Sequence, residues 1–293
     1  MRVPRFWHRE FATVKGHDGK PWRLVCWGWS ETDETEAATR ATEKVDRLTA
    51  SWNAIASRQP REWYDSNLYL ADPPREEILD EINDSGGRVI GTITRNAYGA
   101  IILNTDRMLI IDVDDKVRSS FQGCLRSLVS WFLPSTMLTP RKPELTTEEK
   151  ISATIASDPQ HGYRVYRTAA GWRIIMVSDA VDGVEATTLE VLKRFESDPF
   201  YVALCKKQQT FRARLTAKPW RCGVQRAPNR YPRTTTNEVN AFEEWETKYT
   251  QCAASHKTCE LQSGQDTLVA PELQALIDIH DQWCQIDREL PLA

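Results

Sequence analysis

The chain has no apolar run of membrane-spanning length, and its start, Met-Arg-Val-Pro-Arg-Phe-Trp-His, carries no apolar core of a secretory signal. A cytoplasmic protein with no membrane partner is expected. The seven cysteines (26, 124, 205, 222, 252, 259 and 284) are odd in number, scattered, and never form a Cys-x-x-Cys pair, which argues against a disulfide framework. Buried thiols are expected instead. Cys252, His256 and Cys259 share a face at helical spacing, and His280 with Cys284 forms a second pair, but structural zinc usually takes ligands from tight knuckles with shorter spacing, so no zinc is expected. None of the five histidines (8, 17, 161, 256 and 280) stands in a motif with a nucleophile, which disfavours triad chemistry. There is no internal repeat and no low-complexity tract.

What is present fits one large domain or two modest ones: 293 residues, 41% of them hydrophobic. The net charge of −3 conceals polarity along the chain. Between Cys205 and Arg233 stand nine basic residues and no acid; from Thr234 onward, eleven acids face Lys248, Lys257 and Arg288. Such asymmetry marks either a surface for a polyanion or two segments that neutralise one another.

Pattern along the chain predicts an α+β fold, with an antiparallel or mixed sheet and flanking helices. Residues 1–72 read as a β-hairpin (Phe11 to Val14 and Trp22 to Trp29), a helix from Ser30, and a proline-containing linker from Arg58 to Pro74. Trp22, Trp27 and Trp29 are expected in the core under that helix. Residues 73–235 form the α+β core: a short helix from Arg75 to Asn83, then three strands in an antiparallel meander, Val89 to Thr94, Ala100 to Leu103 and Met108 to Val113. Helices over 117–133 and 147–157 follow, then a hairpin of Tyr163 to Arg167 and Trp172 to Val177. Two further helices, 184–196 and one near Pro199 to Lys207, precede a last strand from Phe211 to Leu215. Residues 236–293 read as an acidic helical segment, with Leu273, Leu276, Ile277 and His280 on one stripe.

Three pieces carry chemistry. Met108 to Asp115 is an apolar strand ending in Asp112-Val113-Asp114, and residues two apart share a strand face. Asp112 and Asp114 can therefore converge on one hard cation, Mg²⁺ or Mn²⁺. The bland alternative is that one caps a helix while the other faces water. The second piece is the small-residue turn Thr168-Ala169-Ala170-Gly171 between Arg167 and Arg173, where a phosphate can approach backbone N–H groups and an arginine fork. The third is Phe211-Arg212-Ala213-Arg214-Leu215, whose arginines share a face, followed by Lys218, Pro219, Trp220 and Arg221. Arginine interleaved with aromatics suits a groove that tracks a nucleic-acid backbone.

In order and type these motifs resemble the archaeo-eukaryotic primase (primase-polymerase) superfamily, over roughly residues 88–215. The Asp112-x-Asp114 strand end resembles that family's first motif, and Thr168 to Arg173 is similar in position to its second, with Arg173 where a phosphate-binding histidine is expected. The resemblance implies an RRM-like catalytic half and a metal-dependent nucleotidyltransferase. Asp112 and Asp114 would hold the metal, Arg173, Arg167, Arg212 and Arg214 would bind nucleotide phosphates, and Lys218 and Arg221 would bind nucleic acid. It also implies a third carboxylate, with Asp179 and Asp198 the nearby acids, and it requires Asp112, Asp114 and Arg173 to face one cleft. Competing readings are an inactive nucleic-acid-binding module, an interaction protein whose basic stretch docks on its own acidic tail, and a metal-dependent nuclease.

Overall fold

The computed structural model describes residues 3–16, 19–56, 73–115 and 145–293. The linker expected up to Pro74 falls almost wholly outside these residues, and the helix expected over 117–133 falls wholly outside. The architecture is α+β, with antiparallel sheets and six helices among the described residues. No described helix is long and apolar enough to cross a membrane.

β1 (Phe6–Lys15) and β2 (Pro21–Ser30) form a long hairpin, paired from Phe6 with Ser30 to Lys15 with Pro21. α1 (Glu34–Ala56) follows, capped by Asp33, whose Oδ1 accepts the Glu36 N–H at 2.8 Å; the cap is three residues later than the Ser30 start expected from sequence. Ala37, Ala41 and Val45 bury the helix face against the hairpin. Gly28 makes the approach feasible: a Cβ there would lie 2.0 Å from the Ala37 carbonyl oxygen.

The core holds two four-stranded antiparallel sheets. One has the order β3 (Glu77–Asn83), β4 (Val89–Arg95), β5 (Ile101–Thr105), β9 (Phe211–Arg214). The other runs β10 (Cys259–Ser263), β7 (Tyr163–Thr168), β8 (Gly171–Met176), β6 (Ile110–Asp114). Three expectations are corrected here. The segment read as a helix from Arg75 is β3, because Gly86-Gly87 closes a hairpin turn held by Asp84 Oδ1 rather than ending a helix, and ladder irregularities at Asp80 and Asn83 disguise the strand period. The three-strand meander is only a pair, since β6 leaves to join β8. β6 also lies at the edge of its sheet, and β10 pairs with β7, which departs from an RRM-like split βαβ order in which the first strand is central.

The remaining helices are α2 (Thr147–Ala156), with the expected Thr146/Glu149 capping box, α3 (Ala186–Arg194), α4 (Pro199–Gln208), α5 (Thr236–Ala253) and α6 (Gln274–Cys284). The 236–293 segment is not a helical appendage. It supplies β10 to the sheet, and Leu273, Leu276, Ile277 and Cys284 to the main hydrophobic core. α5 ends at Ala253, so Cys252, His256 and Cys259 do not share a helix face.

The two sheets meet where edge strands β6 and β9 come close. Tyr201 of α4 stitches them: its hydroxyl donates to the Ile110 carbonyl at 2.8 Å and accepts the Arg212 N–H at 3.2 Å.

Candidate functional site

Alternation along each strand decides what meets at this junction. On β6, Ile111 and Val113 turn into the apolar core while Asp112 and Asp114 share the other face. Asp112 pairs across the ladder with Arg173, which pairs in turn with Tyr166, so the three form one row across the sheet. Opposite Asp114 stands Gly171, where a Cβ would lie 2.2 Å from the Val113 carbonyl oxygen. On β9, Phe211 and Ala213 are buried, and Arg212 and Arg214 occupy the opposite face.

A cleft of about 1410 Å³ opens at the junction. Its lining includes Asp112, Asp114 and Arg173, together with Asp198, Arg212, Arg214, Lys218 and Arg221. The three residues that the resemblance requires to face one cleft all line it, but the Arg173 guanidinium makes its hydrogen bonds to His280 and the Arg214 carbonyl rather than to either carboxylate. Asp198 supplies a third carboxylate, from a helix N-terminus rather than a later strand. Its N–H donates to the Asp112 carbonyl at 2.9 Å, the Ser197 hydroxyl donates to the same oxygen at 2.7 Å, and its side chain caps α4 by accepting from Phe200 and Tyr201 N–H. Ser-Asp-Pro at 197–199 was readable as a cap; its closeness to Asp112 was not, because it depends on a contact across 85 residues.

Electrostatics distinguish these groups. Burial pushes the Asp112 carboxyl up, Arg173 and Arg214 oppose that shift, and Asp114 and Asp198 reinforce it. Burial and then Asp198 also raise Asp114. Across the cleft, burial followed by Arg214 and Arg221 lowers Lys218. Arg214 Nη1 and Arg221 Nη1 are buried donors with no acceptor among the described residues. Like charges are thus gathered on both walls, acids on one and cations on the other.

Not every arginine singled out from sequence contributes in this way. Arg212 is tied to Glu76 by Nη2 at 2.7 and 2.8 Å and to Gln208 at 2.7 Å. Arg167 lies on the opposite face of its sheet, donating to both oxygens of Asp115 at 3.0 and 2.6 Å with its guanidinium 5.0 Å from the Trp172 ring centre. Arg173 is only 4% exposed, and its donors go inward: Nη1 to His280 Nε2 at 2.9 Å and towards Cys284 and Cys259 sulfurs at 3.7 and 4.0 Å, Nη2 to the Arg214 carbonyl at 3.1 Å. Arg212 and Arg233 form their ion pairs with Glu76 and Glu77 rather than with acids of the 236–293 segment, and Arg233 also lies 3.2 Å over the Phe242 ring of α5.

Two donor sets are relevant to a metal. Asp112 and Asp114 offer hard oxygens in a pocket where their charge is poorly compensated, which fits a divalent cation such as Mg²⁺ or Mn²⁺. Cys259, His280 and Cys284 bring their ligand atoms within 4.8 Å of one another, the one such trio among the described residues; the three cleft carboxylates are spread more widely. Sequence spacing had not joined Cys259 to the pair on α6, because β10 was hidden in a segment read as helical. Arg173 Nη1 points into that trio, and His280 Nδ1 donates to Asp281 at 2.8 Å, so the imidazole is satisfied at both nitrogens.

Comparison with protein-family models, with curated proteins and with solved structures finds no match to this chain.

Proposed function

We propose that the cleft between β6 and β9 is a metal-dependent nucleotidyl-transfer site acting on nucleoside triphosphate and nucleic acid, in the manner of the primase-polymerases that the motifs resemble. The observation that supports this most is the facing of Asp112 and Asp114, both raised towards their neutral form, by Arg214, Lys218 and Arg221, two of which carry buried donors without an acceptor among the described residues. A divalent cation held by Asp112 and Asp114 would neutralise the carboxylates, and the oxygens of a polyphosphate would accept from Arg214 and Arg221.

In this reading Asp112 and Asp114 hold Mg²⁺ or Mn²⁺, which when bound favours ionisation of the attacking hydroxyl and stabilises charge on the departing pyrophosphate. Arg214 and Arg221 grip phosphate oxygens through permanent charges. Lys218, with its ammonium 5.7 Å from the Trp220 ring centre, adds a point charge at the mouth. Arg173 does not grip the triphosphate; its donors are spent on His280 and the Arg214 carbonyl, so it is a positioning residue that fixes Arg214 and offsets the charge of Asp112.

The test pairs Mn²⁺ binding by calorimetry with pyrophosphate release from nucleoside triphosphates on a primed template. Wild type should show both, and Asp112→Asn with Asp114→Asn should show neither. Unchanged Mn²⁺ binding in the double variant, or no pyrophosphate release by wild type with either metal, would overturn the reading.

A further inference from the structure

The β1–β2 hairpin has two faces of different chemistry. Gly28 and Cys26 face α1, and Trp22 packs beside Trp52 of that helix with ring centres 6.2 Å apart. The alternate positions, Trp7, Arg9 and Phe11 on β1 with Val25, Trp27 and Trp29 on β2, share the other face, so Trp27 is not the core under the helix that the sequence predicted, while Trp29 meets that helix at its edge through Arg40, 4.2 Å from its ring centre. Val25 there is 48% exposed. Trp7, Val25, Trp27 and Trp29 form a wall of the same cleft that holds Asp112 and Asp114.

Guanidinium groups lie on these rings. Arg9 is 5.0 Å from the Phe11 centre and 5.6 Å from Trp27, Arg23 is 3.7 Å from Phe11, and Arg75 is 4.2 Å from Trp27. The nearby acids are engaged elsewhere, Glu81 with Arg5, Glu10 with His8 and Glu36 with Arg40, and no described carboxylate pairs with Arg9, Arg23, Arg75 or Arg230. Arg75 is crowded instead by like charge: burial, then Arg230 and Arg9, push it down to about 10. Arg75 Nε and Trp7 Nε1 are buried donors with no acceptor among the described residues. Flat rings, guanidinium groups without a counter-ion among the described residues, and donors unpartnered among those residues together call for a ligand that alternates π-faces with anions.

We infer that the outer face of the β1–β2 hairpin is a stacking platform for single-stranded nucleic acid, with bases against Trp27 and its aromatic neighbours and phosphates against Arg9, Arg75 and Arg230. A single strand fits better than a duplex because only unpaired bases expose their faces to a stacking side chain. Sequence preference should be weak, since no group on the platform is arranged to read base edges. That the bound strand leads to the carboxylates rests on the nucleotidyl-transfer reading above; the binding itself does not require a metal.

Fluorescence anisotropy of a labelled oligothymidylate of about 20 nucleotides, in EDTA and across a salt series, tests the platform. Wild type should bind with affinity that falls as salt rises. Trp27→Ala should weaken binding by about tenfold or more, whereas Trp27→Phe retains most of it. Arg9→Ala with Arg75→Ala should weaken binding and flatten the salt slope. Circular dichroism identifies variants that fail to fold, and Trp27→Phe with the arginine variants keeps the test decisive if Trp27→Ala is among them. Asp115→Asn, whose carboxylate is held by Arg167 outside the cleft, should bind the oligonucleotide as wild type does. Wild-type affinity in the folded platform variants, or equal competition by heparin or duplex DNA, overturns the inference. Loss of Mn²⁺ chemistry alone, with oligonucleotide binding intact, counts against the catalytic reading and leaves the platform standing.

Discussion

Two arginine–aspartate neighbours on opposite faces of the sheet β10-β7-β8-β6, Arg167 with Asp115 and Arg173 with Asp112, behave in opposite ways. Arg167 and Asp115 close on each other with two hydrogen bonds; the pairing holds the Asp115 carboxyl below the usual carboxylate range. Their side chains are about one-third exposed, so water screens the pair. On the other face Arg173 and Asp112 occupy paired positions in the ladder yet form no ion pair: Arg173 turns to His280 and the sulfurs, while burial leaves Asp112 pushed up. A satisfied pair is finished chemistry and has nothing left to offer a ligand. Separated, under-compensated charges are costly to the empty fold and favour whatever neutralises them. By this criterion the proposed site belongs on the face with Asp112 rather than at the cavity of about 770 Å³ beside Asp115 and Arg167.

The comparison breaks most sharply at the carboxylates. Asp112→Asn with Asp114→Asn should reduce nucleotidyl transfer by about 10³-fold or more, since each factor of ten corresponds to only ~1.4 kcal/mol of lost transition-state stabilisation. Steady-state pyrophosphate release measures it. Asp115→Asn, on the other face, should leave the rate within about twofold, as its carboxylate is engaged by Arg167 and Trp172 and does not line the cleft.

His280 tests the other half of the contrast. It is fully buried, accepts from Arg173 Nη1 and donates to Asp281. His280→Ala removes an acceptor from a buried guanidinium that no described carboxylate pairs with, at a cost of about 3 kcal/mol. Thermal unfolding should show Tm lower by roughly 5–10 °C. A change below about 1 °C would mean that Arg173 finds compensation without the imidazole.

A smaller effect reports the strain at the carboxylates directly. Because the folded state raises Asp112 and Asp114, the native protein holds more protons than the unfolded chain at pH values between the ordinary carboxyl value and the raised one. Metal-free wild type therefore loses stability as pH rises through that window, and the penalty is complete above it. The double asparagine variant escapes the penalty. In EDTA its Tm should exceed that of wild type at pH 7–8, and the gap should narrow as pH falls towards 4, by about 2–4 °C per kcal/mol involved. Added Mn²⁺ should close the gap from the other side by raising the wild-type Tm alone.

What could be read from the chain beforehand follows the range of the interactions. The β1–β2 hairpin, the 163–176 hairpin, the capping box at Thr146 and the helices after Gly183 and Asp198 rest on local periodicity and cap chemistry, and all are present. The Asp112/Asp114 face and the Arg212/Arg214 face followed from strand alternation alone. The partner choice of β6 and the strand β10 did not, because both are set by contacts with strands far away in the chain, and β10 sits between two helices in an acidic segment. The same limit hid Asp198 beside Asp112, and Cys259 beside His280. The outward turn of Trp27 was missed for a different reason: a tryptophan's composition favours burial, and only the position of α1 against Gly28 shows which hairpin face is covered.

The smallest expected effect is the one that best guards the comparison. Arg167→Ala removes a bidentate pair that lies across the sheet from the cleft, with one-third of each side chain in water. Exposed pairs contribute about 0–1 kcal/mol, and lost stacking on Trp172 adds a few tenths, so Tm should fall by no more than about 2–4 °C. Nucleotide turnover and oligonucleotide affinity should both stay within about twofold of wild type, because no donor of Arg167 reaches the cleft. A large loss of either activity would put a phosphate on this face of the sheet, and the rule that the satisfied pair is inert would fail for this protein.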